Sequence, residues 1–172
     1  MNLLLKSATI IDKSSPFHLQ KKDILIENGI ITKIAKSIKN DASIKEIKLD
    51  NLHISQGWFD TSVSFGEPGF EERETIENGL NTAAKSGFTA VAVNPNTHPV
   101  ADNKSTIEFI KNKANGFATS LYPIGSLTKG SESKDIAELY DMQNSGAIVF
   151  GDYNKPISNA NLLKIGLLYA QN

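Results

Sequence analysis

The segment Gly57-Trp-Phe-Asp-Thr-Ser-Val-Ser-Phe-Gly-Glu-Pro-Gly69 is the part of this sequence around which the rest of the chain is organised. It has the pattern of an apolar strand that ends in a Pro-Gly loop. A helical pattern follows at 71–86, and a second apolar strand pattern follows at 88–93. A strand followed by a helix and another strand places its last side chains at the mouth of a βα unit, where such folds keep their sites. The sequence therefore predicts that any chemistry lies at the end of the first strand.

The same alternation of strand and helix continues along the rest of the sequence. Apolar residues recur at helical spacing in the first two predicted helices, and a glycine follows each of the first three as a stop signal. The pattern predicts a parallel sheet with right-handed crossovers, in either a doubly wound sheet or a barrel. Strands are predicted at 53–65, 88–93, 119–127 and 147–150, and helices at 71–86, 103–115, 135–145 and 159–170.

Residues 1–52 precede this alternation and carry shorter strand patterns. Strands are predicted at 3–11 and 44–49, with a hairpin at 23–34 whose Asn28-Gly29 pair suits a type I′ turn. An independent β-hairpin domain is the less favoured interpretation, because so few strands cannot close a core alone. We therefore predict a domain boundary between residues 52 and 53.

The composition limits the classes of function that the chain can have. Its 172 residues are 40% hydrophobic and carry a net charge of −1, which is typical of a domain that buries a core. The absence of cysteine excludes disulfides, thiolate metal sites and a catalytic cysteine, and it agrees with the reducing cytoplasm in which we expect the protein. We expect no nucleic-acid partner and no membrane partner, because the sequence has neither a basic stripe nor a membrane-spanning segment.

Three motifs together resemble a known family. Phe59-Asp60 followed by Glu67-Pro68-Gly69, then Gly87-Phe-Thr-Ala-Val91, then Pro95-Asn-Thr-x-Pro-Val100, resemble the opening of a dihydroorotase of the amidohydrolase superfamily. The resemblance covers nearly the whole chain. It implies the N-terminal portion of a (β/α)8 TIM-type barrel, with about four βα units at 53–172, preceded by part of a small β-sandwich at 1–52.

The length of the chain leaves two interpretations of this barrel. A complete barrel needs roughly 250 residues, so the sequence accounts for about half of one. We prefer the interpretation that the chain is the first half of a longer protein. The alternative is a half-barrel that pairs with something else to cover its open sheet edges.

The resemblance also implies that reactive positions have been replaced. The family's first strand reads Asp-x-His-x-His-x-Arg-Glu-Pro-Gly, in which the histidines bind zinc and the arginine holds the substrate carboxylate. Those positions are Ser62, Ser64 and Gly66 here, and hydroxyls cannot replace imidazoles as zinc ligands at neutral pH. Strand alternation predicts that Asp60 shares a face with both serines. A structural role is favoured for Asp60, as in the family.

Two other positions match the family's site. Asp152, in Phe150-Gly-Asp-Tyr-Asn154, partly resembles the metal-binding aspartate of Phe-Thr-Asp-Asp-Gly, and the alternative is a loop carboxylate that caps a turn. Asn96 occupies the place of a substrate-binding asparagine, and the alternative is an Asx turn that organises its loop. The three histidines show no metal-site spacing, and Arg73 is the only arginine. No residue is assigned as catalytic.

Two functions of different classes follow from the resemblance. The first is a catalytically inactive dihydroorotase homologue of pyrimidine biosynthesis, since inactive members of the family support aspartate transcarbamoylase as scaffolds. This function needs no cofactor, and we expect a homo-oligomer. The second is an active dihydroorotase or related cyclic-amide hydrolase with an altered metal site, for which zinc is the expected cofactor. A plain interaction module, suggested by the open sheet edges, is a weaker third reading.

Overall fold

Strand pairing separates the chain into two units that divide between Gln56 and Gly57. The computed structural model describes residues 2–40 and 44–170. Residue 1, residues 41–43 and residues 171–172 of the predicted domains lie outside the described residues. Each unit has its own sheet and its own apolar core.

The first unit is a five-stranded mixed sheet with its first strand at the centre. Its strands are β1 (Leu3–Ile11), β2 (Lys21–Glu27), β3 (Ile30–Ala35), β4 (Lys45–Lys48) and β5 (His53–Ser55). Strand β1 pairs antiparallel with β2 on one side and parallel with β4 and β5 on the other. The predicted hairpin is confirmed as β2 and β3, and its turn residues Asn28 and Gly29 have positive φ angles of 52° and 80°. Both angles are those that a type I′ turn requires.

A buried carboxylate organises an irregularity in the central strand of this sheet. The register between β1 and β2 shifts near Ser7, which has a φ of 53°. Asp23 is 3% exposed and accepts hydrogen bonds from the backbone N–H groups of Ser7 and Ile38, both at 2.9 Å. It also forms an ion pair with Lys6. The sheet can bury this charge because Lys6, Ser7 and Ile38 all donate hydrogen bonds to the carboxylate.

The second unit is a parallel sheet whose strands lie side by side in chain order. A doubly wound sheet reverses its strand order at a switch point, so the unbroken order β6-β7-β8-β9 supports a half-barrel with four βα units. The strands are β6 (Trp58–Val63), β7 (Phe88–Val93), β8 (Ser120–Gly125) and β9 (Val149–Phe150). The helices are α1 (Ile76–Lys85), α2 (Lys104–Lys113), α3 (Leu139–Asn144) and α4 (Ala160–Tyr169).

Helices cover one face of the parallel sheet with a continuous apolar core. The predicted inner faces of the first two helices are confirmed, because Ile76 and Leu80 of α1 and Ile107 and Ile110 of α2 are buried in it. None of the helices in the described ranges combines the length and the apolar character that a bilayer crossing requires. Other core members come from the sheet and from α3: Val91, Val93, Leu121, Leu139 and Met142.

Several element boundaries differ from those predicted, because pairing with β1 or hydrogen bonds within loops involve the residues next to them. His53–Ser55 pairs with β1, so the first strand of the parallel sheet begins at Trp58. The first helix begins at Ile76 because residues 66–74 form a hydrogen-bonded loop. The third helix begins at Leu139 because Ile136 forms a β-bridge with Thr128. The assignment of residues 1–52 and 53–172 to a sandwich part and a barrel part stays a prediction.

We expect Asp23→Asn to destabilise the first unit at neutral pH by about 2 kcal/mol, because the neutral amide weakens the bonds from Lys6 and Ser7. Burial raises the pKa of Asp23, but the hydrogen bonds from Lys6, Ser7 and Ile38 outweigh it and hold the pKa below its ordinary value. A carboxyl with a lowered folded-state pKa contributes its full stability above the unfolded pKa and loses it as the pH falls through the folded value.

The difference between wild type and Asp23→Asn should therefore close in acid, below about pH 4. Hydrogen exchange of the β1 and β2 amides, corrected for the intrinsic rate at each pH, measures this difference. Asp50→Asn, at an exposed carboxylate of the same unit, is the matched control. A difference that does not change between pH 7 and pH 3 would contradict the expectation.

Candidate functional site

Polar side chains from all four strands of the second unit collect where those strands end. Because the carboxyl ends of parallel strands lie at one edge, this edge is where the sequence predicts any chemistry. The side chains form two hydrogen-bonded groups. The serine–asparagine group consists of Ser62, Ser64, Asn94 and Asn96, and the Asp152 group consists of Asp152, Ser126 and Thr128.

In the serine–asparagine group, each serine is bonded to an asparagine that follows the neighbouring strand. Asn94 Nδ2 donates to Ser62 Oγ at 3.1 Å, and Asn96 Nδ2 donates to Ser64 Oγ at 2.6 Å. Asn94 is 5% exposed, whereas Asn96 is half-buried. The Asn96 Oδ1 atom is buried and has no hydrogen-bond partner among the described residues. The group can donate and accept hydrogen bonds, but it carries no charge and no imidazole.

Asp60 does not share a face with the two serines, so that expectation from strand alternation is wrong. The register between β6 and β7 shifts between Asp60 and Val63. Such a bulge adds a residue to one strand and changes the faces of the residues beyond it. Asp60 lines a cavity of about 210 Å³ together with Val63, Phe65 and helix α1. Its Oδ1 accepts the backbone N–H of Ser62 at 3.0 Å, which is a local structural contact.

The loop after β6 leaves no room for a side chain at Gly66. The Gly66 N–H donates to the carbonyl of Glu74 at 2.8 Å, and its carbonyl accepts the N–H of Phe70 at 2.9 Å. A Cβ atom at Gly66 would overlap the carbonyl oxygen of Phe70. The backbone therefore closes the position at which the resemblance expects an arginine. Arg73 donates instead to the carbonyl of Phe65 at 3.4 Å and lies over the Phe70 ring.

A second buried carboxylate attaches this loop to the helices, and the sequence reasoning did not single it out. Glu67, in the Glu-Pro-Gly motif, is 6% exposed and accepts the N–H of Ile76 at 2.9 Å. Its other oxygen lies 3.0 Å from Lys113 Nζ, and this hydrogen bond and charge raise the pKa of Lys113. A negative charge is favourable at a helix N-terminus, where Ile76 is the first residue of α1. The motif itself was the available signal for this residue.

Hydrogen-bond donors surround Asp152. Its Oδ1 accepts from the Ser126 hydroxyl at 2.8 Å and from the Thr128 N–H at 3.0 Å, and its Oδ2 accepts from the Thr128 hydroxyl. Ser126 and Thr128 are fully buried, whereas Asp152 is half-buried. An ionised carboxylate offers about four acceptor positions, so the protein itself fills about three of them.

The described residues at this edge do not fit the zinc ion that the resemblance implies. Zinc in proteins is bound by histidine nitrogen, cysteine sulfur or carboxylate oxygen. Ser62 and Ser64 offer neutral hydroxyls, and Asp152 is held by its own donors. Within residues 2–40 and 44–170, no group of three or more His, Cys, Asp or Glu side chains is placed to hold a metal ion.

The three histidines lie outside both polar groups. His18 and His53 belong to the first unit, where their ring nitrogens contact local backbone atoms. His98 follows β7, and its ring centre lies 6.1 Å from that of Phe70. Among the described residues of the second unit, His98 is the one histidine, and its ring packs near Phe70.

Comparison with known proteins gives this arrangement a family context. Residues 53–170 match a family model described as dihydro-orotase-like. A dihydroorotase of Pelotomaculum thermopropionicum is 40% identical over 170 residues, which cover 99% of this chain and 39% of that protein. A dihydroorotase of Geobacter metallireducens is 36% identical over 173 residues, which cover 99% of this chain and 40% of that protein. The chain thus spans about two fifths of the length of these curated relatives.

Solved structures share the fold at low sequence identity. A dihydroorotase structure matches with a TM-score of 0.68 and 13% identity, covering 99% of this chain and 48% of the other. The L-hydantoinase (dihydropyrimidinase) of Arthrobacter aurescens matches with a TM-score of 0.66 and 17% identity, covering 86% of this chain and 32% of the other. Together with the strand order, these matches confirm the predicted half of an amidohydrolase barrel.

We expect Gly66→Ala to destabilise the protein by about 2 kcal/mol, because the added methyl group must displace the Phe70 carbonyl. Gly151→Ala is the matched control, since a Cβ atom there meets nothing within 4 Å. Chemical denaturation of both variants measures the effect. Equal stability of the two variants would show that the loop after β6 can open to accept a side chain.

Proposed function

Because the chain belongs to the dihydroorotase-like family, we propose that it is part of a catalytically inactive dihydroorotase homologue that acts in pyrimidine biosynthesis. One observation carries the proposal. The positions of the family's two zinc-binding histidines hold Ser62 and Ser64, whose hydroxyls are hydrogen-bonded to Asn94 and Asn96. The serines are thus part of a neutral hydrogen-bonded group that has no metal ligand of its own.

The chemistry of the serine–asparagine group supports inactivity. Hydrolysis of a cyclic amide needs a polarised carbonyl and an activated nucleophile. A serine becomes a nucleophile when a base within hydrogen-bond reach takes its proton. The side-chain partners of Ser62 and Ser64 are carboxamides, which are not bases at neutral pH. These two serines therefore replace neither the metal nor a catalytic nucleophile.

The loop after β6 also supports loss of substrate binding. An arginine holds a carboxylate through paired, charge-assisted hydrogen bonds. Gly66 stands at the arginine position, and the Phe70 carbonyl occupies the space that a side chain there would need. A carbonyl oxygen is an acceptor, so it disfavours an anionic substrate group at this point. Position 66 of the loop thus lacks the group that would recognise a carboxylate, and Arg73 of the same loop donates to the Phe65 carbonyl.

A scaffold role for aspartate transcarbamoylase, in a cytoplasmic homo-oligomer, completes the proposal. Such a role requires the fold and the surface of the family but neither zinc nor an active site. The family frame is retained, because Glu67 attaches the Glu-Pro-Gly loop to α1 and α2 and the core beneath it is continuous. The residues that differ from the family motif are Ser62, Ser64 and Gly66, which stand at its reactive positions.

An active dihydroorotase or related cyclic-amide hydrolase with an altered metal site is the second candidate. Two observations favour it. Asp152 keeps a carboxylate at a family metal-binding position, and about one of its acceptor positions is unfilled. The buried Oδ1 of Asn96, at the family's substrate-binding position, has no partner among the described residues. In this case zinc is the expected cofactor.

We expect elemental analysis of the purified full-length protein to find no stoichiometric zinc, and we expect no dihydroorotate hydrolysis above background. The physical reason is the replacement of two imidazole ligands by hydroxyls. The dihydroorotase of Geobacter metallireducens, purified in the same way, is the positive control for the assay. Bound zinc together with turnover would contradict the inactive homologue and favour the active hydrolase.

The scaffold role predicts a direct complex with aspartate transcarbamoylase from the same organism. Purified full-length protein and purified transcarbamoylase should co-elute in size-exclusion chromatography, and light scattering should give the number of subunits. Gly151→Ala, in which the added Cβ atom meets nothing within 4 Å, should co-elute with the transcarbamoylase as the wild type does. Separate elution at micromolar concentrations of both proteins would contradict this role without bearing on the zinc result.

A further inference from the structure

The loop that follows β8, residues 126–133, is attached to the rest of the second unit by two carboxylates. On one side, Asp152 accepts the Thr128 N–H and the hydroxyls of Ser126 and Thr128. On the other side, Asp102 Oδ2 accepts the N–H of Gly130 at 2.7 Å. Gly130 has a φ of 60°, a conformation that favours glycine. The loop therefore depends for its shape on acceptors from the segment before α2 and from the end of β9.

The protons in the Asp152 group can be assigned consistently. Thr128 Oγ1 accepts the N–H of Ser133 at 3.0 Å, so its own proton is free to go to Asp152 Oδ2. Ser126 Oγ lies near both the Thr128 carbonyl and Asp152, but it has one proton, which the charged oxygen attracts more strongly. Ser131 Oγ, 2.8 Å away, can donate to Ser126. Each buried hydroxyl of the group thus has a hydrogen-bond partner within the protein.

We propose that Asp152, at the family's metal-ligand position, is an acceptor hub that fixes the loop 126–133 without a metal. The carboxylate that the family uses for an ion is here directed at two buried hydroxyls and one backbone N–H. A metal at Asp152 would compete with these donors and leave buried groups unpaired. The inference rests on the proposed function only in taking this position to be metal-free.

Hydrogen exchange of the full-length protein tests the hub. In Asp152→Ala, the amide of Thr128 should exchange about tenfold faster or more, and the loop 126–133 should lose protection relative to β7. Asp152→Asn should show a smaller loss, since its carbonyl oxygen can still accept from Ser126 and from the Thr128 N–H. Asp141→Asn, an exposed carboxylate on α3, is the matched control.

A second variant covers the case in which Asp152→Ala does not fold. Thr128→Val keeps the shape of the side chain but removes the hydroxyl that donates to Asp152 and accepts from Ser133. We expect faster exchange of the Ser133 amide in Thr128→Val and near wild-type exchange in Thr128→Ser. Wild-type protection of the loop in Asp152→Ala, or in Thr128→Val, would overturn the hub.

Addition of zinc separates this inference from the proposed function. We expect exchange of the loop 126–133 to be the same with added zinc, with a chelator and with neither. If zinc binds and the binding is lost in Asp152→Ala, the hub and the inactive-homologue proposal are both wrong. If no zinc binds and Asp152→Ala leaves the loop unchanged, only the hub is wrong.

Discussion

The carboxyl edge of the parallel sheet imposes one demand on this protein, because polar side chains that are buried there need hydrogen-bond partners. The buried Asn94 side chain meets it through Ser62, and the buried hydroxyls of Ser126 and Thr128 meet it through Asp152. Each pairing joins residues from different strands, so the loops are held to one another as well as to the sheet. The protein's own side chains thus connect neighbouring strands at this edge.

Buried or half-buried carboxylates organise the backbone at several places in the chain. Asp23 holds the irregular part of β1, Glu67 holds the loop before α1, and Asp152 holds the loop after β8. In each case the carboxylate accepts a backbone N–H that no strand or helix bond satisfies. Glu67 and Asp152 match positions of the family motifs, and both accept backbone hydrogen bonds here. Both motif residues therefore make structural contacts that do not depend on any chemistry of the site.

The fold and the proposed function rest on different kinds of observation. Strand order, the family model and the solved structures establish the dihydroorotase-like half-barrel. A fold does not determine an activity, which depends on the side chains at the site. Those side chains are neutral at the first strand, and the loop at Gly66 is closed by backbone. These two features are independent of each other. Both lie at positions where the family motif carries reactive groups, whereas the fold around them is that of the family.

The order of strands and helices, the hairpin turn at Asn28-Gly29 and the serines at positions 62 and 64 of the family motif can all be recognised in the sequence, because local periodicity and motif positions encode them. Three other features became visible in the folded chain: a bulge separates Asp60 from the serines, the Phe70 carbonyl closes the space at Gly66, and Asp152 is bound by Ser126 and Thr128. Strand register and hydrogen bonds between distant loops set these features. No local pattern carries that information, since residues far apart in the chain must first be brought together by packing of the sheet and helices.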